Sequence, residues 1–207
     1  MSKIWEGVFS AIYDPLLWVA ERAGMAQRRA TLLSQARGQV LELGAGTGLN
    51  LPHYPDGLEE LVLTEPSPPM VARLERRAKQ SVTTISVMAA DAERLPFEDD
   101  RFDTVVSTLV LCTVDKPRQA IEEIARVLRP GGRLLFLEHV RSDTRRLARW
   151  QDRLHRPWHA FAAGCNANRA TVDMLRDSAL RVETVEHDRW SWMPALVHPL
   201  AIGTAAA

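Results

Sequence analysis

The chain has no run of ~18 uncharged apolar residues, the length that a bilayer-crossing helix requires. A secretory leader is not expected either, because Glu6, Asp14 and Glu21 interrupt the apolar residues near the start. Excess charge is missing too: 26 Lys+Arg balance 26 Asp+Glu over 207 residues. Without net positive charge there is no general attraction to a phosphate backbone, so nucleic acid is not expected as a partner. Cysteine is scarce. Cys112 and Cys165 are too few, and too far apart along the chain, for a disulfide framework or a zinc cluster, which points to a reducing interior. The expectation is a soluble, cytoplasmic protein, with peripheral membrane contact left open. Repeats, low-complexity tracts and linkers are also lacking. Residues 1–207 are therefore expected to form one domain, a size at which folding buries roughly 70% of the unfolded surface.

Residues 3–34 read as two helices. Ile4, Trp5, Val8, Phe9 and Ile12 recur at helical spacing, and Asp14-Pro15 offers a cap and a first-turn proline. Residues 1–35 are thus expected as a helical cap and 36–207 as the core. From Gln39 strand and helix alternate. QVLELG predicts a strand leading into a short helix from Thr47; further strands are expected at 58–65, 83–91, 101–111 and 133–140. Helices are expected at 68–79 and 116–129, the latter stopped and turned by PGG at 130–132. Near-continuous apolar strands separated by helices indicate a buried parallel sheet with helices on both faces. Residues 144–163 and 168–179 read as helices. RVETVEHDRW and PALVHPLAIGTAAA then follow with little between them, which predicts a terminal antiparallel hairpin.

VLELGAGTGLN, residues 40–50, places three glycines after the first strand. In open α/β sheets ligands lie beyond the carboxyl ends of the strands, near the point where strand order reverses. A dinucleotide loop, G-x-G-x-x-G, needs a third glycine, but Leu49 occupies that place counted from Gly44 and Leu51 counted from Gly46. The Gly-Lys-Ser/Thr of a phosphate loop is absent as well. What stands there is Glu42, Gly44, Gly46 and Gly48. An acid two residues before the first glycine opposes a pyrophosphate but suits a ligand with positive charge. S-adenosylmethionine, which has an ammonium, a sulfonium and no phosphate, is such a ligand. Glu65 ends the second strand, 19 residues after Gly46, where an acid accepts hydrogen bonds from a ribose diol. Asp91 ends the third strand, where it can meet the adenine amine. Glu42 can equally brace the loop, and Asp103 in FDTVV, away from this end, is expected to make structural hydrogen bonds.

LELGAGTG, TEPSPPM, DAERLPFEDDRFDTVVST and VLRPGGRLLFLEHV together resemble the class I S-adenosylmethionine-dependent methyltransferases of the ubiquinone-biosynthesis-like (type 11) group. The resemblance implies a Rossmann-like α/β fold, a seven-stranded, mostly parallel sheet with one antiparallel strand, and S-adenosyl-L-methionine as methyl donor. In such proteins the glycine loop contacts the methionine part, the acid at Glu65 binds ribose and that at Asp91 meets adenine. Met70 is similar to the residue packed on the adenine face. The donor-binding set implied is Glu42, Gly44, Ala45, Gly46, Asn50, Glu65, Pro66, Met70, Asp91, Ala92, Thr108 and Leu109. STLVLCTV, LEHV, HRPWHAFAAGCNANR, HPLAIGTA and GLNLPHYP are similar to the alkyl-thiol methyltransferases and their bacterial relatives, which implies a small thiol or hydrogen sulfide as acceptor. A hydrophobic anchor precedes this region in the animal proteins and is not expected here, so their membrane association is not carried over.

Methyl transfer from a sulfonium is an in-line displacement, so holding the acceptor against the methyl supplies much of the rate. A thiol titrates near pH ~8.5 and needs little base catalysis. His139, at the carboxyl end of the fifth strand, is the candidate for deprotonating or orienting the acceptor; a histidine satisfied by loop carbonyls is the alternative. No metal site is expected: His155 and His159 have helical ligand spacing, but nothing completes a set. Cys112 and Cys165 are expected to be buried small residues rather than nucleophiles. Residues 141–156 carry six arginines against two acids, beside a stripe of Leu147, Trp150, Leu154, Trp158 and Phe161. Residues 141–161 thus fit either core packing or contact with an anionic membrane. A phospholipid or quinone-precursor acceptor stays open, as do a non-catalytic cofactor binder and a nicotinamide oxidoreductase, the last against the missing glycine.

Overall fold

The computed structural model describes residues 7, 14–15, 17–79 and 85–207. Most of the first expected helix, and residues 83–84 of the third expected strand, lie outside the described residues. Residues 17–20 are helical and run into a π-helical turn, Glu21–Met25, where Gly24 takes φ 122. Then come α1 (Ala26–Leu33), β1 (Gln39–Leu43), β2 (Glu60–Thr64), α2 (Pro68–Ala78), β3 (Ile85–Met88) and β4 (Phe102–Thr108). They are followed by α3 (Pro117–Val127), β5 (Leu128–His139), α4 (Arg145–Arg153), α5 (His155–Phe161), α6 (Thr171–Arg176), β6 (Arg181–Arg189) and β7 (Pro199–Ala206).

The strands form one seven-stranded sheet in the order β3-β2-β1-β4-β5-β7-β6. β1 to β5 pair in parallel, and β7 runs antiparallel to both β5 and β6. The expected hairpin is therefore present, with its second strand inserted beside β5. Alternation along the strands sends side chains to opposite faces. Leu41, Leu43, Val62 and Val105 join one apolar cluster with Ile121 and Ile124 of α3. Val40, Leu61, Leu63 and Val106 join the other, with Leu32 and Leu33 of α1 and Leu74 of α2. Helix α3 starts on Pro117 and buries Ala120, Ile121, Ile124 and Val127 along one stripe. Each such aliphatic side chain contributes about 1.5–3 kcal/mol by burial.

Several expected boundaries move. Residues 47–50 form turns leading to a 3-10 turn at Leu51–His53 instead of a helix. β4 stops at Thr108 rather than 111, because Leu109 turns left-handed (φ 61) while its N–H reaches Leu137 O. PGG does not end the pairing: β5 begins at Leu128 and carries these residues through a register shift against β4, with Gly131 at φ 79. The expected helix 144–163 is two helices, broken at Leu154, and 168–179 contracts to α6. Asp103 makes the expected structural bonds, accepting from Gln39 N and Arg129 Nη1, both at 2.8 Å. Among the described residues no helix is long and apolar enough to cross a membrane.

Candidate active site

Strand order reverses between β1 and β4, so a crevice opens beyond their carboxyl ends. There Gly44 and Gly46 take φ 51 and 57, left-handed values that favour glycine. A Cβ on Gly46 would meet nothing closer than 3.9 Å, so this loop leaves open space beside Met70. The crevice is a cavity of about 470 Å³, a size suited to a small molecule or cofactor. Gly44 and Gly46 line it after β1, Glu65, Pro66, Ser67 and Met70 after β2, and Asp91, Ala92 and Glu93 after β3. Leu109, Val110 and Cys112 follow β4; His139 ends β5; Trp158, Phe161, Cys165, Trp190 and Met193 add an apolar wall. Glu65, Asp91, Glu93 and Asp115 are acidic, and no lysine or arginine lines the cavity among the described residues. That balance disfavours a pyrophosphate and fits a neutral or cationic nucleoside such as S-adenosylmethionine.

The Glu65 carboxylate fixes the loop. Gly46 N donates to Oε2 and Ser67 N to Oε1, both at 2.9 Å. Burial raises its pKa above the ordinary value, against the pull of these two amides. Asp91 lies beyond β3, which ends at Met88, rather than at its last position; it still reaches the cavity, with Oδ1 accepting from Glu93 N at 2.9 Å.

Four expected donor-binding residues stand elsewhere. Glu42, Ala45, Asn50 and Thr108 line a separate small recess that shares only Gly44 and Gly46 with the cavity. Glu42 accepts from Asn50 Nδ2 (2.8 Å) and Tyr54 Oη (2.7 Å), and burial pushes it up to about 7 despite these bonds. Asn50 also donates to Thr108 Oγ1 and accepts from Arg29 Nη1, each at 2.8 Å, and Arg29 is in turn held by Glu21. The first glycine loop therefore rests on a buried polar network. Arg29, Glu21 and Tyr54 escape the sequence reading because nothing in Arg28-Arg29 tells which arginine points inward.

His139 lies in the cavity wall beside both cysteines. The ligand atoms of Cys112, His139 and Cys165 all fall within 4.8 Å of one another, so residues judged too distant in sequence for a cluster are neighbours in the fold. Cys165 Sγ is 3.0 Å from His139 Nε2 and receives the Trp158 indole N–H at 2.9 Å. The geometry has identifiable supports. Glu138, at the end of β5, accepts from Ser107 Oγ (2.7 Å), Val110 N (3.0 Å) and Leu111 N (3.1 Å), which pins the turn carrying Cys112. Asn166 N donates to Cys112 O at 2.8 Å, tying that turn to the loop of Cys165. The Cys112 thiol holds Cys165 below the ordinary thiol value despite burial, while Cys165 and burial push Cys112 up. Trp158, Glu138 and Asn166 are further residues the sequence reading missed; the run "EHV" gives no sign that its glutamate faces a turn across the sheet.

The stripe at 141–161 divides. Trp158 and the half-exposed Phe161 line the cavity, whereas Trp150 and Leu154 are exposed away from it, together with Arg145, Arg146, Arg149 and Arg153. His155 and His159 meet edge to face, with ring centroids 5.8 Å apart.

A family model described as "Methyltransferase domain" matches residues 41–136. Thiol S-methyltransferase TMT1B of Homo sapiens is 33% identical over 190 residues, covering 84% of this chain and 77% of the relative. Phosphatidylethanolamine N-methyltransferase of Cereibacter sphaeroides is 33% identical over 171 residues, 77% of either chain. A crystal structure of a SAM-dependent methyltransferase from Thermotoga maritima superposes with a TM-score of 0.70 over 100% of this chain and 99% of its own, at 22% identity, and so supports the fold alone. With the glycine loop, the acidic strand ends and the sheet order in place, the chain belongs to the class I S-adenosylmethionine-dependent methyltransferases and is an enzyme that takes its methyl group from S-adenosylmethionine.

Proposed function

We propose that the enzyme methylates a small thiol or sulfide held between His139 and the apolar wall of the cavity. The observation that carries this reading is the division of the cavity by strand order. The acids after β2 and β3 lie on one side of the switch point, and His139, Cys112 and Cys165 lie on the other, beside Trp158, Phe161 and Trp190. On the first side, Gly44 and Gly46 take the methionine part, Glu65 the ribose hydroxyls, and Pro66, Met70, Asp91 and Ala92 the adenine. Glu42, Ala45, Asn50 and Thr108 hold the loop from behind. The donor supplies an electrophilic methyl; the chain binds it, excludes water and aligns the acceptor sulfur. Leu109, at the switch point, closes the space between the two sides. His139 orients the acceptor or takes its proton. The name of the human relative, a thiol S-methyltransferase, supports the same acceptor class.

The test is an acceptor screen with labelled donor, covering alkyl thiols, sulfide, phospholipids and phenols. Thiols or sulfide are expected to be labelled, and labelling of phospholipids or phenols alone would overturn the reading. His139→Ala is expected to lower turnover with donor affinity unchanged. A phospholipid acceptor is the second reading, favoured by the exposed Trp150, Leu154 and Trp192 near exposed arginines and by the bacterial relative's name. Lipid labelling in the same screen would select it.

A further inference from the structure

We propose that Cys112, His139 and Cys165 form a site for one Zn²⁺ ion whose remaining coordination position faces the cavity. The three donors come from the turn after β4, the end of β5 and the loop after α5, yet their ligand atoms lie within 4.8 Å of one another. Zinc takes cysteine sulfur at about 2.3 Å and histidine nitrogen at about 2.0–2.1 Å, which sets tetrahedral donors roughly 3.5–4 Å apart. Cys165 Sγ and His139 Nε2, at 3.0 Å, need to separate by about half an ångström to reach that spacing. Cys112 Sγ makes long contacts, 3.4 Å to Leu109 O and to Thr113 Oγ1, and its remaining interactions are with His139 and Cys165, the other two donors.

Two thiolates and an imidazole are a donor set that selects zinc or a softer cation over magnesium or calcium. All three residues are buried, and all three line the cavity. Three protein ligands with a fourth place open to a ligand space is the arrangement of a catalytic zinc, whereas structural sites close with four. The two cysteine donors have outer support, whereas His139 Nδ1 is buried without a partner among the described residues. Trp158 donates to Cys165 Sγ, Glu138 pins the turn of Cys112, and Asn166 joins the two cysteine loops. Among the described residues no lysine or arginine lines this cavity; Arg169 donates to Leu111 O (2.6 Å) and Val114 O (2.7 Å) on either side of Cys112, and the Glu138 carboxylate lies buried beside the same turn.

The open position would take the acceptor sulfur, a step that rests on the thiol reading above. A thiol that coordinates zinc is deprotonated, its proton passing to solvent. The bound thiolate then forms the new sulfur–carbon bond as the sulfonium carbon–sulfur bond breaks, and that electron pair stays on the donor sulfur. The methylated thioether is a weaker ligand and leaves.

The native protein, kept reduced with a non-chelating reductant, is equilibrated with Zn²⁺ and passed into metal-free buffer for metal analysis; a second sample is loaded with Co²⁺. One metal per chain and thiolate-to-cobalt charge-transfer absorption are expected. Native protein without stoichiometric metal or without that absorption would overturn the site. Cys112→Ser and Cys165→Ser are each expected to weaken Co²⁺ at least tenfold while still binding S-adenosylmethionine, which controls for folding; unchanged Co²⁺ affinity in both would also overturn it. Adding a small thiol is expected to shift the cobalt spectrum. An intact spectrum that answers to no thiol would overturn the acceptor as fourth ligand. If the thiol reading itself failed, the metal would bind and the screen would label no thiol.

Discussion

Each oxygen of the Glu65 carboxylate accepts one backbone N–H, which leaves a further lone pair on each for a ribose hydroxyl. Glu65→Ala is expected to weaken donor binding by about 1.5–3 kcal/mol, the scale of a lost hydrogen bond to a charged group. Calorimetry measures it, and unchanged affinity would remove Glu65 from the donor site. Glu42 predicts a pH effect. Its ordinary value of 4.5 rises to about 7 in the fold, mainly by burial. Between those values the folded chain keeps a proton that the unfolded chain has lost. Stability therefore falls as pH rises through that window, by on the order of 3 kcal/mol, and levels off above it. Glu42→Gln is expected to flatten this part of the curve of denaturant midpoint against pH; an unaltered slope would refute the assignment. At this scale the sequence tells residue types and their place along a strand. Glu65 and His139 are legible from such placement. The partners that pull Glu42 and Asn50 away from the cavity are not, because Arg29 and Tyr54 reach them across turns that no spacing reports.

Strand β7 is the element on which the second half of the sheet depends, since it supplies partners to β5 on one side and β6 on the other. Gly203 lies at its centre. A Cβ there would collide with Thr184 O of β6 and come within 2.8 Å of Phe136 Cζ of β5. Gly203→Ala is expected to cost about 3 kcal/mol or more, read from thermal or denaturant unfolding, because neither the neighbouring backbone nor the packed ring can yield cheaply. A cost under about 1 kcal/mol would mean that the two outer strands are free to separate. Near-continuous apolar runs made the strands visible, and the adjacency of the last two runs made the hairpin visible. The ends of strands were less so. β4 stops where Leu109 turns left-handed, although STLVLC continues apolar, and hydropathy carries no record of a dihedral angle. The break at Leu154 does leave a trace in the sequence: Pro157, in the first turn of α5, has no N–H to offer Arg153 O and its ring crowds that carbonyl, so one helix cannot run unbroken through 153–157.

Zero net charge over the whole molecule conceals an uneven surface. Arg145, Arg146, Arg149 and Arg153 are exposed on α4, and Trp150 and Leu154 are exposed among them. Binding to anionic vesicles at low salt, lost at high salt, is the expected outcome of co-sedimentation, because solvent-exposed charges are screened over about 10 Å or less at ordinary ionic strength. No binding at low salt would dismiss the phospholipid reading along with the membrane face. The composition argued against a nucleic-acid partner only through total charge, and a total cannot locate a patch. The order of the strands has the same character: it decides that β5 neighbours β4 and that His139 meets Cys112, and it appears only when the whole sheet is assembled.

The placement of β7 also has a consequence in time. During synthesis the chain emerges from the ribosome N-terminus first, and domains fold as they become available. β1 to β5 can align in parallel early, but the free edge of β5 waits for residues 199–206, and β6, made before them, has no neighbour until they arrive. A nascent chain halted between residues 140 and 198 would present β5, with its apolar LLFL, as an unprotected edge of the kind that recruits other strands. The same delay keeps His139 unpaired with Leu200 until translation has passed that point, so the His139 side of the cavity is the last part of the enzyme to be made whole.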